Sequence, residues 1–162
     1  MLVNGIDPAF WRARRVFLTG HTGFKGAWLA LWLQKVGAEV TAFSLAPPTR
    51  PNLFELACVA EGIDSRQGDI RNFEALATAL DESRASVVFH LAAQATVAEG
   101  YRSPRDTYAT NLNGTLNLLD AIRACRSAVD SVWIATYRST TPSAFRIGVI
   151  WKATQYGSPE RV

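Results

Sequence analysis

A chain of 162 residues with 48% hydrophobic side chains has material for one buried core and too little for two domains of ordinary size. Its formal charge of +3 sits at one end: residues 1–130 carry 13 basic and 13 acidic side chains, while residues 131–162 carry four basic and one acidic. That spread lacks the dense basic stripe that nucleic-acid binding needs.

Cys58 and Cys125 stand 67 positions apart with only two histidines in the chain, a pattern that fits neither a disulfide scaffold nor a metal site. MLVNGIDPAFWRARR contains no secretory h-region, and the longest apolar runs fall far below a membrane span. A soluble cytoplasmic protein is expected, with no nucleic acid, membrane or metal among its partners.

Arg14 to Gly20 (RRVFLTG) reads as a buried strand ending on glycine. GFKGAWLALWLQKVG follows with Phe24, Ala27, Leu31 and the Trp28 and Trp32 pair at helical spacing, and Gly37 is placed to close the helix. Ala38 to Leu45 is a second strand, and the prolines of APPTRPN make a loop. A short helix is predicted from Leu53 to Glu61, then a weak strand in DSRQGDI. Asn72 can cap a helix carrying Phe73, Leu76 and Leu80 on one face.

Ser86 to Ala93 (SVVFHLAA) is nearly all apolar, as a strand covered on both faces should be. The spacing then predicts a long helix over Pro104–Arg126, with Tyr108, Leu112, Thr115, Leu116, Leu119 and Ile122 as its buried side. Gly114 inside it permits close packing. Ser131 to Thr136 reads as a fifth strand. Beyond that the periodicity stops, and Phe145 to Trp151 is a candidate terminal strand with nothing after it to cross back onto.

Strands and helices alternating at this spacing specify an α/β fold, an incomplete Rossmann-like parallel sheet with helices on both faces. Residues 1–136 are expected to form this partial domain, and residues 137–162 a divergent tail.

The chemistry is concentrated at TGHTGFKG, where Gly20, Gly23 and Gly26 lie between strand and helix. Gly20 can make the turn, Gly23 can admit a diphosphate to the helix N-terminus, and Gly26 can let the helix pack on the sheet. A nucleoside triphosphatase loop is excluded, because Lys25 is followed by Gly26 rather than Ser or Thr. The second strand ends at Ser44 with no carboxylate for a ribose, so NAD and NADP are not separated there; Arg50 is a candidate phosphate partner or a solvated loop residue. Asp69 is placed for an adenine amino group, with Ile70 against the ring, or for capping a helix. His21 and His90 read as packed structural residues, and one asparagine of the long helix, Asn111, is expected to bond to a neighbouring strand or loop.

Taken together, TGHTGFKGAWLALWLQKVGAEV, SLAPPTRPNLFE, GDIRN, VVFHLAAQ and SPRDTYATNLNGTLNLLDAIR closely resemble the CDP-glucose 4,6-dehydratases, a branch of the extended short-chain dehydrogenases/reductases. The likeness covers residues 8 to 134. It implies NAD as cofactor, CDP-glucose as substrate and a homodimer, here through the 104–126 helix. It also implies a reaction in which hydride leaves C4 of the glucose, water is eliminated across C5 and C6, and hydride returns at C6. The family's cofactor positions fall on Gly20, Thr22, Gly23, Phe24, Gly26, Asp69, Ile70, Leu91, Ala92, Ala93 and Asn111.

The departures are specific. Ala98, Glu99 and Gly100 stand where the family tends to carry arginine. The superfamily's Tyr-x-x-x-Lys pair, in which the ammonium helps lower the phenol's pKa, does not occur: Tyr101, Tyr137 and Tyr156 are followed at that spacing by Arg105, Thr141 and Glu160. No catalytic residue is therefore assigned. The expectation is a shortened or frame-shifted relative, either a non-catalytic NAD-binding remnant or an unstable product.

Overall fold

The computed structural model describes residues 7–137 and 145–152. A short helix, α1 (Pro8–Trp11), precedes β1 (Arg15–Thr19), α2 (Phe24–Lys35), β2 (Glu39–Ser44) and α3 (Leu53–Leu56). A 3₁₀ turn (Val59–Gly62) leads to β3 (Asp64–Gln67), α4 (Phe73–Ser83) and β4 (Val87–His90). Then come α5 (Val97–Arg102), α6 (Pro104–Tyr108), a π turn (Ala109–Asn113), α7 (Gly114–Ala124), β5 (Ser131–Tyr137) and β6 (Phe145–Lys152).

The strands form one sheet in the order β3-β2-β1-β4-β5-β6. β1 to β5 are mutually parallel, as alternating strands and helices require. β6, the candidate terminal strand, joins the sheet at the β5 edge. It returns antiparallel to β5, pairing Ser131 with Lys152 and Tyr137 with Phe145. An antiparallel return needs no crossover helix. Residues 138–144 and 153–162 of the expected tail, Tyr156 among them, and residues 1–6 lie outside the described residues.

Two apolar layers flank the sheet. On one face Phe17, Phe43, Val88 and Val132 pack under Leu76 and Leu80 of α4 and Leu118, Ala121 and Ile122 of α7. On the other, Val16, Leu18, Val40, Ala42 and Phe89 meet Ala27, Ala30 and Leu33 of α2. Trp11 extends that second layer, its ring edge-on to Trp32 at 5.4 Å and against Phe89 at 6.2 Å.

Helix ends follow the local chemistry. Gly37 takes φ +83°, its amide donates to the Gln34 carbonyl, and the Ala38 amide donates to the Leu33 carbonyl, both at 3.0 Å. These are the two bonds of a Schellman stop. Asn72 caps α4, its side chain accepting from the Ala75 amide at 3.2 Å.

The buried side of the long helix agrees with the expected one at Ile122 and departs from it at Tyr108, Leu112 and Leu116. Gly114, Leu118, Ala121 and Ile122 face the core, whereas Tyr108, Leu112 and Leu116 are 68%, 53% and 51% exposed. The π turn over Ala109–Asn113 puts an extra residue into one turn, so a single 3.6 period drawn from Tyr108 loses phase with the core. On α2, Phe24 and Trp28 likewise face outward. Gly114 has the expected role: a Cβ there would lie 2.5 Å from Ile70 Cδ1.

Candidate dinucleotide site

The sequence-selected positions follow the carboxyl ends of β1, β3 and β4, except Asn111, which reaches the segment after β4 from the π turn. After β1 the chain turns to β2 on one side, while β4 lies on the other. This is the switch point at which open α/β sheets leave a crevice.

Each glycine of the turn meets a different constraint. Gly20 takes φ +80°, and a Cβ on it would lie 2.6 Å from the Ala92 nitrogen. A Cβ on Gly26 would run into the Gly20 carbonyl, so both positions are closed by neighbouring backbone. Gly23 differs: its φ of −76° and ψ of 160° suit any residue, and a Cβ would meet nothing nearer than the Gly20 oxygen at 3.4 Å. It is the N-cap of α2 and supplies no side-chain cap. The start of a 12-residue helix, with its dipole behind it, therefore lies beside Gly23 without a side-chain cap.

The turn is tied to β2 by buried hydroxyls. Thr22 Oγ1 donates to the Leu45 carbonyl at 2.9 Å, which leaves it to accept from Ser44 Oγ at 2.8 Å. His21 is buried with its Nε2 2.8 Å from Ser65 Oγ and its ring edge-on to Phe54. Desolvation lowers its pKa to about 4. Arg50 is a surface residue 3.6 Å from Glu55. Phe24 is 70% exposed at the mouth.

After β3, Asp69 does not cap α4, a task Asn72 performs. Its carboxylate instead accepts from the Arg71 guanidinium at 2.6 Å and from the Arg71 amide at 2.9 Å. These bonds, the guanidinium's first, hold the carboxyl below its ordinary range. Ile70 is buried against Gly114, and Asn117 donates to the Ile70 and Arg71 carbonyls, both at 3.0 Å. Sequence reasoning missed Asn117, although its unfavourable place inside a helix was a readable signal.

After β4, the Leu91 amide donates to the Thr19 carbonyl at 3.1 Å and the Ala92 amide to Thr19 Oγ1 at 3.3 Å. Ala93 is exposed. Asn111 does bond across to a loop: its Oδ1 accepts from the Gln94 amide at 2.7 Å and its Nδ2 donates to the Gln94 carbonyl at 3.0 Å. His90 is buried, between Thr19 Oγ1 at 2.6 Å and Thr115 Oγ1 at 3.1 Å. Burial lowers its pKa to about 4. Among the described residues no group of His, Cys, Asp and Glu could hold a metal ion, and no helix is long and apolar enough to cross a membrane.

A parallel sheet with helices on both faces and an uncapped glycine turn at its switch point defines a Rossmann-like α/β protein. The chain belongs to the family described as GDP-mannose 4,6 dehydratase, whose profile matches residues 17–143. It is similar to the CDP-glucose 4,6-dehydratase of Salmonella typhimurium, at 48% identity over 118 residues, 73% of this chain and 33% of that protein.

Among solved structures it resembles the UDP-glucose 4-epimerase of Brucella ovis in complex with NAD, with TM-score 0.62 and 28% identity. That match covers 71% of this chain and 34% of the epimerase. The UDP-glucose 4-epimerase of Thermotoga maritima with UDP-glucose gives TM-score 0.64 and 25% identity over 75% of this chain and 37% of that one. The chain spans about a third of the length of these relatives.

Proposed function

We propose that this chain is the NAD-binding portion of a nucleotide-sugar 4,6-dehydratase whose substrate is CDP-glucose. The observation that carries the reading is the division of labour in the glycine turn: Gly20 and Gly26 are closed by backbone, while Gly23 leaves the uncapped start of α2 open. A diphosphate fits that opening, because a helix start without a side-chain cap and with its dipole behind it favours an anion, and no Cβ obstructs it. The 48% identity to a CDP-glucose 4,6-dehydratase favours that sugar nucleotide over others.

In this reading Gly23, Phe24 and the α2 amides hold the diphosphate, with Gly20 and Gly26 shaping the turn. Thr22 braces it against β2. Asp69 and Ile70 receive the adenine, and Leu91, Ala92 and Ala93 line the path of the dinucleotide along the sheet edge. Asn111 acts through the Gln94 peptide it clamps. Bound NAD supplies a hydride acceptor and donor for the sugar. The chain's 162 residues contain no Tyr-x-x-x-Lys pair, so the reading for this polypeptide by itself is cofactor binding without turnover.

Calorimetric titration of the purified chain with NAD and with NADP tests this, alongside an assay of CDP-glucose conversion. Saturable NAD binding that Gly23→Val abolishes, in protein with unchanged far-UV circular dichroism, is the expected result. A folded chain with no affinity for NAD refutes the proposal. We further propose that Tyr108, Leu112 and Leu116 form a homodimer surface, supported by their spacing of four and their exposure. Sedimentation that stays monomeric at high concentration would exclude it.

A further inference from the structure

Thr19, His90 and Thr115 come from β1, β4 and α7, and the hydrogens between them can be assigned one by one. Thr115 Oγ1 is 2.7 Å from the Asn111 carbonyl, which only accepts, so the hydroxyl donates there. It must then accept from His90, and Nε2 at 3.1 Å carries the proton. A neutral imidazole protonated at Nε2 has a bare Nδ1. That atom accepts from Thr19 Oγ1 at 2.6 Å, and Thr19 Oγ1 in turn accepts from the Ala92 amide at 3.3 Å.

The bonds therefore run in one direction, from the Ala92 amide through Thr19, His90 and Thr115 to the Asn111 carbonyl. Both ends of this chain meet the segment leaving β4. Ala92 lies against Gly20 of the glycine turn, and Asn111 grips the Gln94 peptide by both its amide and its carbonyl.

We propose that His90, in its Nε2-protonated form, is a positioning residue for the dinucleotide site, relaying hydrogen bonds that fix residues 91–94 against the glycine turn. The inference rests on the NAD-binding reading above. His90 is 3% exposed and acts through Thr19 and Thr115 rather than on a ligand. His90→Phe keeps an aromatic of similar breadth but leaves the buried Thr19 hydroxyl and the half-buried Thr115 hydroxyl short of a partner, so the segment gains freedom where it must meet the cofactor. Phenylalanine in place of histidine also removes the direction of the chain, which a merely space-filling role would not notice.

The test combines nitrogen NMR of the histidines with NAD titrations of the full chain, His90→Phe, Thr115→Val and the double variant. The expected spectrum has His90 as a single Nε2–H tautomer, mixed tautomers in Thr115→Val, and faster exchange of the Gln94 amide in both single variants. Loss of one buried hydrogen bond corresponds to NAD affinity lower by about fivefold to tenfold in each. The double variant should be no worse than His90→Phe, since the chain is already broken.

An Nδ1–H tautomer in the parent chain, or unchanged NAD affinity in folded His90→Phe, overturns the relay. If His90→Phe does not fold, Thr115→Val decides the same question: lower NAD affinity supports the relay and unchanged affinity overturns it. A parent chain that binds no NAD overturns the cofactor reading and the positioning claim with it. Binding by the parent that His90→Phe leaves intact overturns the positioning claim alone.

Discussion

Lowering the pH from 7 to 5 should destabilise this chain through two side chains that the fold keeps neutral. His21 and His90 are 1% and 3% exposed, and desolvation lowers each from 6.5 to about 4. The unfolded chain takes up protons below about pH 6.5, whereas the folded one does so only near pH 4. Stability is therefore complete above the unfolded value and is lost as pH falls through the window between the two. Integrating over that interval gives a loss of about 2 kcal/mol per histidine at pH 5 relative to pH 7, and about 3 kcal/mol at pH 4.

Two independent sites lose about 4 kcal/mol at pH 5, a large share of the 5 to 15 kcal/mol roughly available to a domain. The depressed carboxyls, Asp69 beside Arg71 and Asp81 at the Arg126 amide, do not act in this window. Their contribution is present above the ordinary carboxyl range near 3.8 and fades only below it. Urea unfolding followed by tryptophan fluorescence at pH 7, 6 and 5 measures the slope, and His21→Gln should reduce it by half. A midpoint that stays constant from pH 7 to 5 would refute the argument.

Packing and capping give further expectations. Leu118→Ala should cost about 2 to 5 kcal/mol because its side chain is fully buried, whereas Leu112→Ala on the exposed face should change a dilute monomer by under about 0.5 kcal/mol; urea midpoints compare them directly. Gly26→Ala drives a Cβ into the Gly20 carbonyl and should lower both the melting temperature and NAD affinity, separating it from Gly23→Val, which should lower affinity alone. Asn72→Ala removes the bond to the Ala75 amide and should cost about 1 kcal/mol, read by thermal denaturation.

Local patterns in the sequence were sufficient for the order of β1 to β5 and for α2, α3, α4 and the 104–126 helical stretch, though not for α1 or α5, and for the stop at Gly37, the cap at Asn72 and the glycine turn. Each depends on a few neighbouring residues: an apolar run, a side chain able to reach its own helix start, a backbone that needs positive φ. The family was legible too, because TGHTGFKG, GDIRN and VVFHLAAQ stand in order along one chain. Tertiary structure alone decided which face of the long helix is buried, since the π turn shifts its phase and no propensity marks that turn. It also decided that Asn117 supports Ile70 and that β6 returns antiparallel. The bonds joining Thr19, His90 and Thr115 span up to 71 positions. Contacts at that separation leave no periodic trace, because they are set by which strand ends the sheet brings side by side.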